Sequence, residues 1–453
     1  RPFALGTVGT YETLNYLREA SYMGQLLDIL GVRYLIYPYP DTRREDLDKE
    51  KVDYYHTFLG QLFSLPWVES VKNFGTETEP VPLIKTKRNQ DHFFIAPATW
   101  FIVGSDRIYR DLAEIKNFEF SKNGLVFLEE RPGLGDLIDK TTQAKLILYD
   151  KGEIDLAATF VEWDKFIFPA SQLDFDPNNA GWWKRETVDL AWLRDFLQQK
   201  YGIDNSDFDY GGGWAVGEGS LKLEVRSLKF KEGNLLLARV MESSRGGKIE
   251  FYQGENKIGE INTRVERPKK VEVKITGYKE IPDRIFTYDK ADFSWFEAGK
   301  LVSDEPLTIK TGGDINVVNA LISISGDEWR RIDNSIHRYK INKPEDITLD
   351  NKTNVKISYE RVAPTYYKVK IKGLKTPSTL VFSETYDSLW SIRHSEGGSI
   401  KFSFPLYSLI NGFTVDSDGE YDIYFTPQKY VLPGLIVSGA TLIFLIILLK
   451  RGH

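Results

Sequence analysis

The sequence predicts an α/β plus β protein: small parallel α/β units, then a β-sandwich of jelly-roll type, then a second small β-sandwich, and last one transmembrane helix. Three observations predict it. Between residues 99 and 168 short apolar runs alternate with stretches of helical periodicity, the spacing of strand–helix–strand units. From 219 to 325, and again from 352 to 428, short runs follow one another in which every second residue is apolar, which buries one face of a strand and wets the other. From 430 to 449 the chain reads YVLPGLIVSGATLIFLIILL, without a charge, and Lys450-Arg451 follow at once. At about 1.5 Å per residue that run makes a helix of roughly 30 Å, the thickness of a bilayer's hydrocarbon core.

The first unit, 1–98, is a membrane-proximal α/β unit. Leu14, Leu17, Tyr22, Leu26, Leu27 and Leu30 stand at helical spacing and Gly31 ends the helix. A strand at 32–37 stops at Pro38 and Pro40; a helix at 54–65 carries Tyr55, Phe58, Leu59 and Leu62 on one side; strands follow at 81–85 and 93–96.

The second unit, 99–214, holds strands at 100–103, 125–128 and 145–149 with a helix at 106–116, a rhythm that gives a short parallel sheet covered on both faces. Gly133-x-Gly135 follows a strand as dinucleotide-binding turns do. Ile138 occupies the third glycine position, which leaves the phosphate cradle incomplete and favours a plain turn. Gly104-Ser105-Asp106 reads as a helix N-cap rather than a nucleophilic serine. The irregular tail is rich in oxygen ligands (Asp174, Asp176, Asn178, Asn179, Asp204, Asp207, Asp209), yet no Glu stands at the twelfth position of an EF-hand, so a solvated loop is the better reading.

The third unit, 215–326, shows eight strand-like segments at 221–230, 235–241, 248–252, 257–262, 271–275, 292–298, 307–310 and 317–324. Eight antiparallel strands in so short a stretch describe a jelly roll of the carbohydrate-binding kind. A connector with Trp329 and Ile332 leads into the fourth unit, 327–429. There Val355, Ile357 and Tyr359 alternate, as do Tyr367, Val369 and Ile371, and strands at 380–382, 390–393, 400–404 and 421–426 complete the second sandwich. Only Pro427, Gln428 and Lys429 separate it from the terminal helix, so it stays close to the bilayer. In that helix Pro433 falls in the first turn, and Ser438 and Thr441 can return their hydroxyls to the backbone. Tyr424 and Tyr430 suit the outer interfacial belt, and Lys450-Arg451 favour a cytoplasmic C-terminus, with residues 1–429 extracytoplasmic.

Composition narrows the chemistry. The chain has no Cys, so no disulfide framework and no Cys-ligated metal; its net charge of −6 leaves no nucleic-acid footprint. The five His, at 56, 92, 337, 394 and 453, are too scattered for a local zinc pair, and no hydrolase, metalloprotease or P-loop motif occurs. A glycoside hydrolase reading would need two carboxylates assembled from distant positions, for instance Glu297 with Asp314. No catalytic residue, cofactor or metal is expected. The 24 Tyr and 10 Trp fit β-sheets and saccharide-binding surfaces alike. A sugar site needs exposed rings to stack on a pyranose, beside polar side chains that read its hydroxyls. Trp295, Trp182, Trp183, Trp214 and Tyr210 are the candidate rings, with Arg239, Arg245 and Asn316 as candidate readers; packing in a core or at a junction is the competing role for each. Trp295 and Phe296, adjacent on a strand, must face opposite ways. Asn351-Lys-Thr353 is a formal glycosylation sequon and reads as a turn.

Three stretches carry a resemblance. Leu30-Gly-Val-Arg-Tyr-Leu-Ile36 follows a helix, Phe382-Ser-Glu-Thr-Tyr386-x-x-x-Trp390 lies in a β unit, and Tyr421-x-x-x-Phe425-Thr-Pro427 leads into a final helix with Gly434 and Ser438-Gly439. Together they resemble the C-terminal region of YfhO-like bacterial membrane proteins of the GT-C glycosyltransferase class, although Asp387-Ser388-Leu389 replaces the family's small-residue turn. The resemblance implies a polytopic enzyme that moves a sugar from a lipid-linked donor to a cell-surface acceptor, with its catalytic acids in loops upstream of Arg1. This region would then be non-catalytic, cut from a larger protein, next to an upstream transmembrane domain, and would hold or orient the glycan acceptor or the lipid-linked saccharide. The alternative is a membrane-anchored carbohydrate-binding or adhesion protein without transferase activity.

Overall fold

The computed structural model describes residues 21–36, 56, 59–77, 80–87, 90–104, 108–130, 133–141, 144–167, 173–175, 213–223, 230–268, 270–275, 284–289, 292–314, 316–336, 340–341 and 354–451. The first described helix, Met23–Ile29, ends at Gly31, whose φ of 65° places it in the left-handed region. Strand Tyr34–Ile36 then pairs with Pro82–Thr86, which pairs in turn with Val68–Asn73 in a three-stranded antiparallel sheet. Phe93–Ala96 does not join that sheet. It pairs with Ser378–Thr385 of the last sandwich, so the segment 1–98 gives one of its strands to a distant unit.

The parallel sheet read from the sequence is present, in the order Lys340–Ile341, Ala144–Leu148, Ala98–Val103, Asn123–Phe127. Its core is dominated by Trp100, Phe101, Tyr109, Phe120, Phe127 and Leu146. The Trp100 indole donates to Asn123 Oδ1 at 3.0 Å, which satisfies the one polar atom of a fully buried ring.

The first sandwich faces two sheets on each other. One runs Asp292–Lys300, Leu235–Glu242, Asn316–Ile324, Gly213–Val216, Leu173–Phe175, and Phe166–Ile167 also pairs with Asn316–Ile324; the other runs Gly219–Leu223, Leu307–Gly313, Gly247–Gln253, Asn256–Asn262. Leu236, Ala238, Val240, Ile249, Phe251, Ile309, Val318 and Leu321 fill the space between them. Residues 271–275, expected in this sandwich, pair instead with Arg284–Asp289 in a separate hairpin. Their place is taken by Gly213–Val216, which lies where the glycine run suggested only a boundary. Number the sandwich strands in chain order from Gly213–Val216 as 1 to Asn316–Ile324 as 8, leaving the hairpin out. The sheets are then 6-3-8-1 facing 2-7-4-5.

The second sandwich pairs Lys356–Ala363, Tyr366–Lys372, Gly419–Phe425, Trp390–His394 and Lys401–Phe402 against Phe404–Leu406, Ile410–Val415, Ser378–Thr385 and Phe93–Ala96. Phe382 and Phe413 of the latter sheet face the sandwich core, while Val381, Leu406 and Ile410 join the core of the parallel sheet. Tyr407 locks the two together: its N–H donates to Leu125 O and its hydroxyl to Phe120 O, each at 2.7 Å. A buried Thr99–Thr379 hydroxyl pair at 2.8 Å adds to the seam.

Gly419–Phe425 runs through a 3-10 turn, Thr426–Tyr430, into the terminal helix Val431–Arg451. Thr441 Oγ1 donates to Val437 O at 2.9 Å, as its place in the helix suggests. Leu435, Ile436, Val437 and Leu442 are each 60% or more exposed. Among the described residues no helix is long and apolar enough to cross a membrane; the described side chains of this one end at Leu442.

Candidate functional site

Of the expected saccharide residues in the first sandwich, Trp295, Arg239 and Asn316 are buried and Arg245 lies at the surface. Trp295 and Phe296 do face opposite ways, but neither is a platform: Phe296 packs on the sandwich core, and Trp295 is 2% exposed against Phe166, Ala158 and Val161. The burial of Trp295 has a simple cause. The outer face of that sheet is covered by the α/β unit, so a ring leaving the sandwich core enters a second core. Arg239, paired with Trp295 across the strands, is equally buried. Its Nη1 donates to Asn319 Oδ1 at 2.6 Å, its Nη2 lies 3.7 Å from Glu129, and its guanidinium sits 5.1 Å from the Phe293 ring centre. Asn316, also buried, donates to the carbonyls of Gly217 and Gly312 and accepts from Thr263. Arg245 stays at the surface and pairs with Asp314 at 3.2 Å, which engages the carboxylate that the hydrolase reading set beside Glu297. Trp214 sits in Gly213–Val216 opposite Val318. Trp182, Trp183 and Tyr210 lie outside the described residues, as do Asp176, Asn178 and Asn179.

The parallel sheet's carboxyl edge is where open α/β folds bind ligands. Here it meets the first sandwich. Glu129 Oε2 accepts the Gly104 N–H at 2.9 Å, Asp155 Oδ1 accepts the Trp295 N–H at 2.9 Å, and the Lys151 ammonium donates to Phe293 O. Burial pushes the Asp155 carboxyl up to about 6, against the pull of Lys151 and with the push of Glu129. Asp155 and Lys151 thus join the α/β unit to the sandwich, while the Glu129 contact to Gly104 stays within the unit. Gly133, at φ 84°, opens the 3-10 stretch Leu134–Lys140, and a Cβ on Gly135 would stand 2.8 Å from the Phe160 ring. These glycines serve a turn and a close contact.

A different place meets the requirement of an exposed ring beside polar readers. The edge strands Lys356–Ala363 and Phe93–Ala96 flank one open side of the second sandwich. Tyr359, 44% exposed, lies with its ring centre 5.1 Å from Phe93 and 5.9 Å from His92. His92 Nε2 is 3.5 Å from Glu384 Oε1, and Arg361 lies 5.9 Å from the Tyr367 ring centre. Beneath them Phe93 stacks on Phe382 at 4.7 Å, and Trp390 meets Phe382 edge-on at 4.9 Å. Burial holds the His92 pKa below its ordinary value, opposed by Glu384 and assisted by Arg361, so the imidazole is neutral near pH 7 with one donor and one acceptor nitrogen. A ring, a guanidinium, a carboxylate and a neutral imidazole are the groups that read a sugar's apolar face and hydroxyls. His92 and Glu384 are far apart in the chain, so spacing gave no sign of the pair; Glu384 does lie in the Phe382–Trp390 motif that carries the resemblance.

Elsewhere a shallow depression of about 480 Å³ is lined by Lys231, Asn234, Lys300, Ser325 and Asp327, without an aromatic ring. Among the described residues no group of three or more His, Asp or Glu could hold a metal ion.

No protein-family model matches the chain, and no curated protein matches it. Among solved structures it is similar in part to cryo-EM structures of the mycobacterial arabinofuranosyltransferase AftD. One covers 52% of this chain and 23% of that chain at 10% identity and a TM-score of 0.20. A mutant form covers 49% and 14% with the same identity and score. The β-glucuronidase of Bacteroides uniformis covers 47% and 22%, at 10% identity and a TM-score of 0.12. The chain thus spans less than a quarter of the length of each of these proteins.

Proposed function

We propose that the chain is a membrane-anchored, extracytoplasmic and non-catalytic part of a GT-C-like glycosyltransferase, and that it holds or orients a glycan acceptor near an active site carried elsewhere. The observation that carries this reading is the terminal helix: it leaves the last strand through five residues, and among the described residues its Val431, Leu435, Ile436, Val437 and Leu442 are exposed. At about −0.3 to −0.6 kcal/mol for each centrally placed Leu, Ile, Phe or Val, inserting the run 431–449 is favourable by several kcal/mol. Water offers no such return.

The strand order 6-3-8-1 facing 2-7-4-5 supports reading the first sandwich as a jelly roll, two Greek keys folded on each other. Its buried Arg239 and Trp295 make it a spacer in this reading rather than the sugar site. The saccharide instead meets Tyr359, His92, Arg361 and Glu384. Holding the acceptor there raises its effective concentration at the membrane, a gain from positioning and not from chemistry of this region's own.

The test is binding of the detergent-solubilised chain to an array of bacterial envelope glycans, with Tyr359→Ala and Glu384→Gln beside it. The reading expects binding that both substitutions abolish while thermal unfolding stays close to the parent. Binding that survives both, or no binding at all, removes the saccharide site.

A further inference from the structure

We propose that the end of the second sandwich from which the helix departs is itself a bilayer-contacting surface, with Val362, Leu389 and Phe402 seated at the headgroup level of a lipid membrane. This rests on the anchored-helix reading and adds a second contact to it. Register places the three residues together. Phe425 pairs with Trp390, and the Thr426 N–H donates to Leu389 O at 3.0 Å, so Leu389 sits beside the first residue of the exit turn. Ser391 pairs with Phe402, one step from the same end. On the other side Tyr366 pairs with both Tyr424 and Ala363, which brings the Val362 corner level with the exit.

All three side chains are open: Val362 is 48% exposed, Leu389 43% and Phe402 55%. The opposite end of the sandwich carries exposed Asp416, Ser417, Asp418, Lys375 and Thr376 instead. Three of the sandwich's exposed apolar side chains thus gather at the exit end, while Ile400, 49% exposed, lies beyond Lys401 on the side away from it. The depth also fits. Five residues of 3-10 turn at about 2 Å each reach roughly 10 Å, comparable with the roughly 5–8 Å of headgroup layer on one side of a bilayer. Lys429, beside the exit, lies 4.9 Å from the Tyr430 ring centre, and Asp387 accepts the Leu389 N–H.

Because the sequence has no Cys, single-cysteine probes need no background removal. The experiment places an environment-sensitive NBD label at Val362→Cys, Leu389→Cys or Phe402→Cys of the full chain in phosphatidylcholine–phosphatidylglycerol vesicles, with Thr376→Cys as the far-end reference and Val437→Cys as the helix reference. The proposal expects the three rim probes to shift to the blue and to be quenched by lipids carrying a shallow nitroxide, and Thr376→Cys to show neither. Rim probes that behave like Thr376→Cys, while Val437→Cys is quenched by a deep nitroxide, overturn the proposal and leave the anchor standing. Loss of quenching at Val437→Cys as well overturns both.

Discussion

Asp155 Oδ1 accepts the backbone N–H of Trp295 at 2.9 Å, tying the α/β unit to the edge strand of the first sandwich. The contact makes this junction sensitive to pH. Burial raises the Asp155 pKa from 3.8 to about 6, with Lys151 opposing and Glu129 adding to the shift. Between about pH 4 and pH 6 the folded chain therefore binds more protons than the unfolded one, so this group's contribution to stability falls as pH rises through that window and is level above it. Acidification from pH 7 to pH 4 is expected to return on the order of 2–3 kcal/mol through Asp155. Asp155→Asn keeps an acceptor for Trp295 and removes the titration. Urea unfolding of both chains across this range should show the parent gaining on the variant toward low pH; a difference independent of pH would contradict the assignment.

Arg239 and Glu129 form a fully buried pair at the same junction. Arg239→Ala leaves a carboxylate in the interior with its counter-ion gone, and the expected loss is about 3–5 kcal/mol. The double change Arg239→Met with Glu129→Gln should recover a large part of that loss, because it removes both desolvated charges. Denaturant midpoints of the three variants check it.

Two glycines of the α/β unit separate conformational strain from collision. At Gly104, φ is 142° and a Cβ would stand 1.7 Å from Tyr149 O, a backbone atom with nowhere to go. Gly104→Ala is expected to cost about 3 kcal/mol or more. Gly133, at φ 84°, has open space around the same position, so Gly133→Ala should cost only about 1–2 kcal/mol. Thermal unfolding of the pair distinguishes the two effects.

Trp295 and Tyr359 should part company in stability and binding. Trp295→Ala empties a space in the second core of the sandwich sheet and is expected to cost about 3–5 kcal/mol, with glycan binding retained by the chain that remains folded. Tyr359→Ala should change stability by about 1 kcal/mol or less, as for a surface side chain, and abolish binding. Isothermal titration alongside calorimetric unfolding reads both quantities.

How much of this was legible in the chain depends on what each strand faces. Tyr367, Val369 and Ile371 alternate because one face of their strand meets the sandwich core. Ile410–Val415 shows no alternation and escaped notice, because its two faces lie in two different cores. Phe93–Ala96 was recognisable as a strand, but its partner Ser378–Thr385 lies near the other end of the chain, and local pattern does not reach that far. The rings named for sugar binding show the same limit. Alternation placed Trp295 and Phe296 on opposite faces, yet only the packing of a neighbouring unit decides whether an outer face is wet. The His92–Glu384 pairing was beyond reach for the same reason, since pattern within one strand does not specify its neighbours across the sandwich.

The central claim is that the terminal helix holds these units on a membrane. Alkaline carbonate extraction of proteoliposomes carrying the full chain tests it most directly. The account predicts that the chain stays in the membrane pellet and that Leu435→Arg together with Val437→Arg, two charges in the helix's exposed apolar surface, releases it to the supernatant. A parent chain that is itself stripped into the supernatant would contradict the anchor, and with it the placement of the saccharide site at a membrane.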